Sequence, residues 1–350
     1  MSMGEVRNKS NIGASGRAVV IALLAMVPAC ADRRYEPFAE IRAGVAAHHG
    51  QQLLSAQELD AALAEFQNAI ELNPKLVDAH AGLGSAWEAK GNYEAAAQSF
   101  AEAVRLDPSS LDNSLSLARM YQKLARFADA VRAYLHACEL DPKSYKARFN
   151  LGVCYHQAGA LNDAIKAYEQ AMALDPGQPG AALNLGAVYD SQEKYYEAIH
   201  VYNESLERDP SQPLVLINMA VTMMKQGRIT NARKALERAV EIAPADAMAH
   251  ERLAYCCLVD RAYDVALQHY DKAIGIEPRM AEAYAGRGAV RMALALQQTN
   301  SATLREQAVN DWHHSLELKP DQPKIRKLVE KYQVPKKPED TLTSMLDGSK

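Results

Sequence analysis

The sequence predicts an all-α solenoid of stacked helical hairpins, and three observations carry that prediction. Prolines recur every 34 residues at Pro74, Pro108, Pro142, Pro176, Pro210, Pro244 and Pro278. Ahead of each proline the residues 24, 12 and 5 positions back are small, as in Gly84, Ala96 and Ala103 before Pro108. The residue 8 positions back is large, giving Phe66, Phe100, Tyr134, Tyr168, Tyr202, Leu236 and Tyr270. A fixed period of this length marks a repeat architecture, in which no single unit can bury its own apolar face. With 48% hydrophobic and 23% charged residues over 350 positions, the chain can bury a sizeable core and is not wholly disordered.

The elements follow in chain order. Arg7, Lys9 and Arg17 precede ten apolar residues, Ala18 to Val27, and then Pro28, Ala29, Cys30 and Ala31. This is the order of a secretory signal peptide over residues 1–29. Ten residues span about 15 Å as a helix, half of the hydrocarbon layer, so the segment is too short for a stable transmembrane anchor. Val27-Pro28-Ala29-Cys30 resembles the lipobox of bacterial lipoproteins, with Pro28 a departure from it. That resemblance implies lipidation of Cys30, whereas Ala29 and Ala31 also suit an ordinary cut after Ala31. Residues 30–42 read as a linker.

Within each repeat, small residues let two antiparallel helices approach, the large ring fills the gap beside them, and proline ends the second helix. Asp107, Asp141, Asp175 and Asp209 stand before their prolines, where helical geometry is disfavoured. From Val77 to Ser110 the residues Leu83-Gly84, Trp87, Gly91, Tyr93, Ala96, Phe100, Ala103 and Pro108 resemble the tetratricopeptide repeat (TPR) family. The resemblance holds in register over residues 43–322 and implies a right-handed superhelix of eight repeats: 43–76, 77–110, 111–144, 145–178, 179–212, 213–246, 247–280 and 281–322. The eighth reaches Pro320, 42 residues after Pro278, and its eight extra residues are expected between its helices near Leu296 to Thr303. Residues 323–333 are similar to the family's C-terminal capping helix, and residues 334–350 read as a disordered tail.

Chemistry is sparse. A net charge of −4 supplies no cation excess for phosphates, so nucleic acid is not an expected partner. The histidine pairs His48-His49 and His313-His314 lack the i, i+4 spacing of a metal site. Gly286-Arg287-Gly288 lies inside a first helix, not after a strand, and is not a phosphate loop. The 5 cysteines form no Cys-x-x-Cys motif; Cys138, Cys154, Cys256 and Cys257 read as small core residues, with a bridge from Cys138 to Cys154 left open. No catalytic residue, metal or cofactor is expected.

First helices of such repeats line the inner, concave surface, so residues 34 apart stack into stripes. Asn150, Asn184 and Asn218 hold the sixth position of three consecutive repeats. Each amide offers a donor and an acceptor, which suits a peptide backbone read independently of its side chains. Phe149, Leu183 and Ile217 one position earlier, and Val153, Ala187 and Val221 three later, are expected to add an apolar strip. Lys146, His156, Gln157 and Lys225 add polar groups, and Asp190 and Glu251 add acid. The row resembles the asparagine ladder in the peptide-binding repeats of O-linked N-acetylglucosamine transferase. The lysine and asparagine clamp of chaperone-binding relatives is not matched, because its positions read Phe149 and Val153, or Leu183 and Ala187.

The expectation is a noncatalytic scaffold or adaptor of the bacterial cell envelope that holds an extended peptide or partner protein in its groove, touching the membrane only through lipid on Cys30. Two alternatives stay open. One is the substrate-recruiting subunit of a separate envelope enzyme, a peptidoglycan hydrolase or glycosyltransferase. The other is a cytoplasmic adaptor with an uncleaved N-terminus.

Overall fold

The computed structural model describes residues 38–297 and 302–333. The signal segment, Cys30 and the tail therefore lie outside the described residues. Every regular element among those described is a helix, and there are 17 of them. The chain divides into two compact units, residues 1–160 and 161–350.

The first unit holds α1 (Ala39–Ser55), α2 (Leu59–Leu72), α3 (Val77–Ala89), α4 (Tyr93–Leu106), α5 (Leu111–Lys123), α6 (Phe127–Leu140) and α7 (Tyr145–Gln157). Because α1 begins at Ala39, the last part of the expected linker is already helical. Asn92, Ser110 and Ser144 cap helices by accepting from the backbone N–H three residues on, at 3.1, 3.3 and 3.2 Å. Asp107 and Asp141 do more than end a helix. Each carboxylate accepts the N–H two residues later at 3.0 Å, closing the turn over the proline.

The second unit holds α8 (Leu161–Leu174), α9 (Pro179–Ser191), α10 (Tyr195–Arg208), α11 (Pro213–Lys225), α12 (Ile229–Ile242), α13 (Ala247–Val259), α14 (Tyr263–Ile276), α15 (Ala281–Gln297), α16 (Ala302–Leu318) and α17 (Pro323–Tyr332). Pro179, Pro213 and Pro323 open their helices, where a missing N–H costs nothing. The eighth repeat corrects one expectation. Its extra residues mostly lengthen the helices, since α15 and α16 each have 17 residues against 13 in α13 and 14 in α14. On α15 the apolar register continues into the extension, where Ala295 is buried beside Met292. Ile325, Leu328 and Val329 of α17 then pack on Met292, Val309 and Trp312.

One backbone feature repeats with the period. The residue between the two helices of a hairpin has φ between 55° and 78° at Gln57, Gly91, Ala125, Gly159, Glu193, Gly227 and Arg261. Only three of the seven are glycine. The other four accept a strain of about 1 kcal/mol each because the hairpin's packing fixes the turn.

The cores are built from the ring positions. In the first unit the Phe66 ring is sandwiched between Gly50 and Gly82, and Phe100 lies on Gly84. In the second, Tyr202, Leu236, Tyr270 and Trp312 are fully buried or nearly so. Cys138, Cys154, Cys256 and Cys257 are buried free thiols. Burial pushes Cys154 up to about 11 and Cys256 up to about 12, which holds both as unreactive thiols.

Candidate functional site

The first helices α9, α11 and α13 of the second unit pack successively against one another. On α11 the residues Leu214, Asn218, Val221 and Lys225 follow i, i+4, i+7, i+11 spacing and form one helical face. On α13 the equivalent face is Met248, Arg252, Tyr255 and Val259, and on α9 it is Gly180, Asn184, Ala187 and Ser191. Leu214, Met248, Tyr255 and Val259 are all exposed, large and apolar. Isolated exposed apolar residues are ordinary, but Leu214 and Met248 hold the same repeat position on packed helices, and Tyr255 and Val259 continue that face along α13, so the four form a patch.

Asn218 adjoins this patch on α11, and Asn184 holds the same position on the neighbouring α9. Asn218 is exposed, and its Nδ2 donates to the Leu214 carbonyl at 2.8 Å, which fixes the amide against its own helix. Asn184 is half-buried and reaches the Tyr168 hydroxyl. Burial pushes that hydroxyl above its usual range, and the Asn184 hydrogen bond opposes the shift. Tyr202 is likewise raised, to about 12, by burial and by the Asp190 carboxylate, with Thr222 opposing. The two amides thus differ: Asn184 turns toward the ring of the preceding repeat, whereas Asn218 stays at the surface against its own helix. Asp190 pairs with Lys225, linking the ends of α9 and α11.

The apolar strip differs from expectation at one residue. Ile217 is 1% exposed and belongs to the core of the second unit, about 100° around the helix from the exposed Asn218. Leu183 and Val221 are half-buried, and Leu183 also packs on that core. Glu251, expected to bring acid to the surface, is buried, and burial raises its carboxyl above the usual range against the opposing effect of Arg252. In the first unit Asn150, Phe149 and Val153 are all half-buried on α7, and Phe149 stacks on Tyr145 at 5.7 Å.

Sequence reasoning missed Leu214, Met248, Tyr255 and Val259. Their signal is present as the i, i+4, i+7, i+11 spacing through the asparagine position, whereas the residue adjacent in sequence, Ile217, is buried. The histidine pairs are placed as ordinary polar residues: His49 Nδ1 lies 3.1 Å from Glu65, and His314 Nδ1 3.1 Å from Glu317. Among the described residues no group of three or more His, Cys, Asp or Glu side chains could hold a metal ion, and no helix is long and apolar enough to cross a membrane.

Residues 111–290 match a family model described as the cilia and flagella-associated protein 70 C-terminal domain, and residues 49–110 match a tetratricopeptide repeat model. The chain belongs to the tetratricopeptide-repeat family. Solved structures with a similar fold include the C-terminal part of a TPR repeat-containing protein from Cytophaga hutchinsonii, 17% identical, with a TM-score of 0.55 over 70% of the TPR chain and 97% of that one. A TPR protein from Parabacteroides merdae is also 17% identical, with a TM-score of 0.50 over 73% and 97% of the two chains. The APC/C hetero-tetramer Cut9-Hcn1 is 16% identical, with a TM-score of 0.51 over 79% of the TPR chain, which spans about half, 53%, of that chain. These likenesses establish a shared all-α TPR solenoid fold. No curated protein matches the TPR chain in sequence.

Proposed function

We propose that this TPR protein is a noncatalytic scaffold that holds an extended polypeptide on the first-helix face of α9, α11 and α13. The observation that carries the reading is the coincidence of two chemistries on one face. Asn184 and Asn218 offer amides to a passing backbone, and Leu214, Met248, Tyr255 and Val259 offer apolar contact to its side chains. An extended segment advances 3.2–3.4 Å per residue and presents both groups in alternation, which matches such a surface. Asn150 gives the first unit an equivalent polar contact of its own.

The test is photocrosslinking in the native host, with benzoylphenylalanine in place of Tyr255 or, as a control on another face, of Val265. The Tyr255 position is expected to capture a polypeptide and the Val265 position to capture none. Asn184→Ala together with Asn218→Ala should reduce the adduct roughly tenfold, as two lost hydrogen bonds would. Undiminished capture by the double variant would sink the role of the amides, and equal capture at Val265 would sink the face.

The residues before Phe38 support a location for this work. We infer export across a bacterial cytoplasmic membrane and attachment through Cys30, on the order of charged, apolar and small residues in the leader. A diacyl or triacyl mass on Cys30 in the mature protein is the expected result. A chain starting at Asp32 would replace the anchor with free export, and an intact N-terminus would place the scaffold in the cytoplasm.

A further inference from the structure

A second surface lies on the other side of the same helical layer, between the second helices α8 and α10. It is a cleft of about 570 Å³. Leu185 and Tyr189 of α9, with Met172 and Val201, make an apolar floor and walls. Glu169 on α8 and Glu197, His200 and Glu204 on α10 are exposed around it, and no lysine or arginine lines it. Tyr196 is 77% exposed, more open than any other large apolar side chain among the described residues.

The carboxylates act on the cleft. Tyr189 Oη donates to Glu169 Oε1 at 3.4 Å, and burial together with the Glu169 and Glu197 charges pushes the Tyr189 hydroxyl above its usual range. The acidity is also local to this cleft. The next groove of the same layer, between α10 and α12, has a floor of Met219 and Met223 and carries Lys234 and Arg238 beside Glu207. A groove of the first unit mixes Arg42 and His49 with Glu65. Of these three grooves, the α8–α10 cleft is the one that sets three carboxylates beside tyrosine faces without a lysine or arginine.

We propose that the α8–α10 cleft receives an arginine or lysine side chain of a partner polypeptide. The aliphatic stem lies on Leu185, Met172 and Val201, the cationic head meets the three carboxylates, and the Tyr196 ring covers it through cation–π attraction. Arginine fits better than lysine, because its planar guanidinium both stacks on tyrosine and bonds a carboxylate at two points. The inference concerns a different face from the scaffold reading and stands or falls separately.

The experiment is fluorescence anisotropy with the full chain and a dye-labelled Gly-Ser-Arg repeat peptide, against the same peptide with citrulline for arginine. Citrulline keeps the shape and removes the charge. The arginine peptide is expected to bind and the citrulline peptide to bind at least about tenfold more weakly. Glu197→Gln with Glu204→Gln should weaken arginine binding about tenfold and Tyr196→Ser about threefold, in line with partly exposed ion pairs and cation–π contacts. Glu207→Gln, which faces the neighbouring groove, and the Asn184→Ala, Asn218→Ala pair should leave it unchanged. All substituted residues of the cleft are exposed, and unchanged far-UV circular dichroism verifies that the variants fold. Absence of arginine-peptide binding, equal binding of citrulline, or equal loss in Glu207→Gln would overturn the proposal.

Discussion

Asp311→Ala is expected to destabilise the C-terminal repeat by about 3–5 kcal/mol, the range for removing one partner of a buried ion pair. Asp311 is only 5% exposed and lies on α16 against two arginines of α15. Arg287 donates to its two oxygens at 2.6 and 3.1 Å, and Arg291 donates at 2.7 Å. Loss of the carboxylate strands two guanidinium groups whose side chains are themselves largely covered. Arg287 keeps one bond to Asp271 at 2.7 Å, which places the effect toward the lower end of the range. The neighbouring Trp312, fully buried, reports the loss: with Trp87→Phe it is the single tryptophan left, and its fluorescence midpoint in urea should fall well below that of the parent. Replacing Asp311, Arg287 and Arg291 together by leucine, methionine and methionine should recover much of the stability, because a packed apolar trio has no charge to desolvate. A midpoint within error of the parent for Asp311→Ala would show that the triad contributes nothing.

The same residues show what a one-dimensional reading can and cannot extract. The tripeptide Gly286-Arg287-Gly288 is recognisable in the sequence only by what it is not. In three dimensions each member has a role. A side chain at Gly286 would meet the Tyr270 ring at 2.3 Å, one at Gly288 would meet Trp312 at 2.7 Å and the Ala308 carbonyl at 2.9 Å, and Arg287 between them reaches Asp311. Repeating small and large positions were legible because the constraint behind them, helix approach beside a ring, returns every 34 residues. The arginine triad was not, because it occurs once and joins residues 20 and 24 positions apart without a local pattern.

The candidate site was legible to the same partial degree. The asparagine row stood out because its spacing matches the repeat, and the structure places Asn184 and Asn218 at the same register of packed neighbours. What the sequence could not separate was side from side. Ile217 and Asn218 are adjacent, yet a helix turns 100° per residue, so one enters the core while the other faces out. The acidic cleft is not legible in the sequence for a related reason: Glu169, Tyr189, Tyr196 and Glu204 come from three helices, and only hairpin packing brings them around one cavity.

Gly82→Ala should destabilise the first unit even though alanine is the better helix former, and the sign is the point of the experiment. In an open helical position the change gains about 1 kcal/mol. Gly44, on α1, is such a position, with nothing within 4 Å of an added Cβ, and Gly44→Ala is expected to stabilise by about 0.5–1 kcal/mol. At Gly82 on α3 the added carbon would stand 2.2, 2.4 and 2.8 Å from three atoms of the Phe66 ring. The ring cannot retreat, because Gly50 already borders it at a distance where an added carbon would meet Phe66 at 2.9 Å, and Phe66 is 1% exposed. Overpacking costs roughly 1–3 kcal/mol, and an approach this close to a held ring lies at the upper end; the helical gain of about 1 kcal/mol offsets part of it, so Gly82→Ala should fall about 2 kcal/mol below the parent in urea denaturation. Phe66→Leu removes the rigid ring, and in that background Gly82→Ala should cost nothing further or stabilise slightly, giving a coupling between the two sites of at least about 2 kcal/mol. If Gly82→Ala and Gly44→Ala stabilised equally, the ring would not be held between the two glycines, and the small-and-large pattern of the repeats would owe its regularity to something other than this packing.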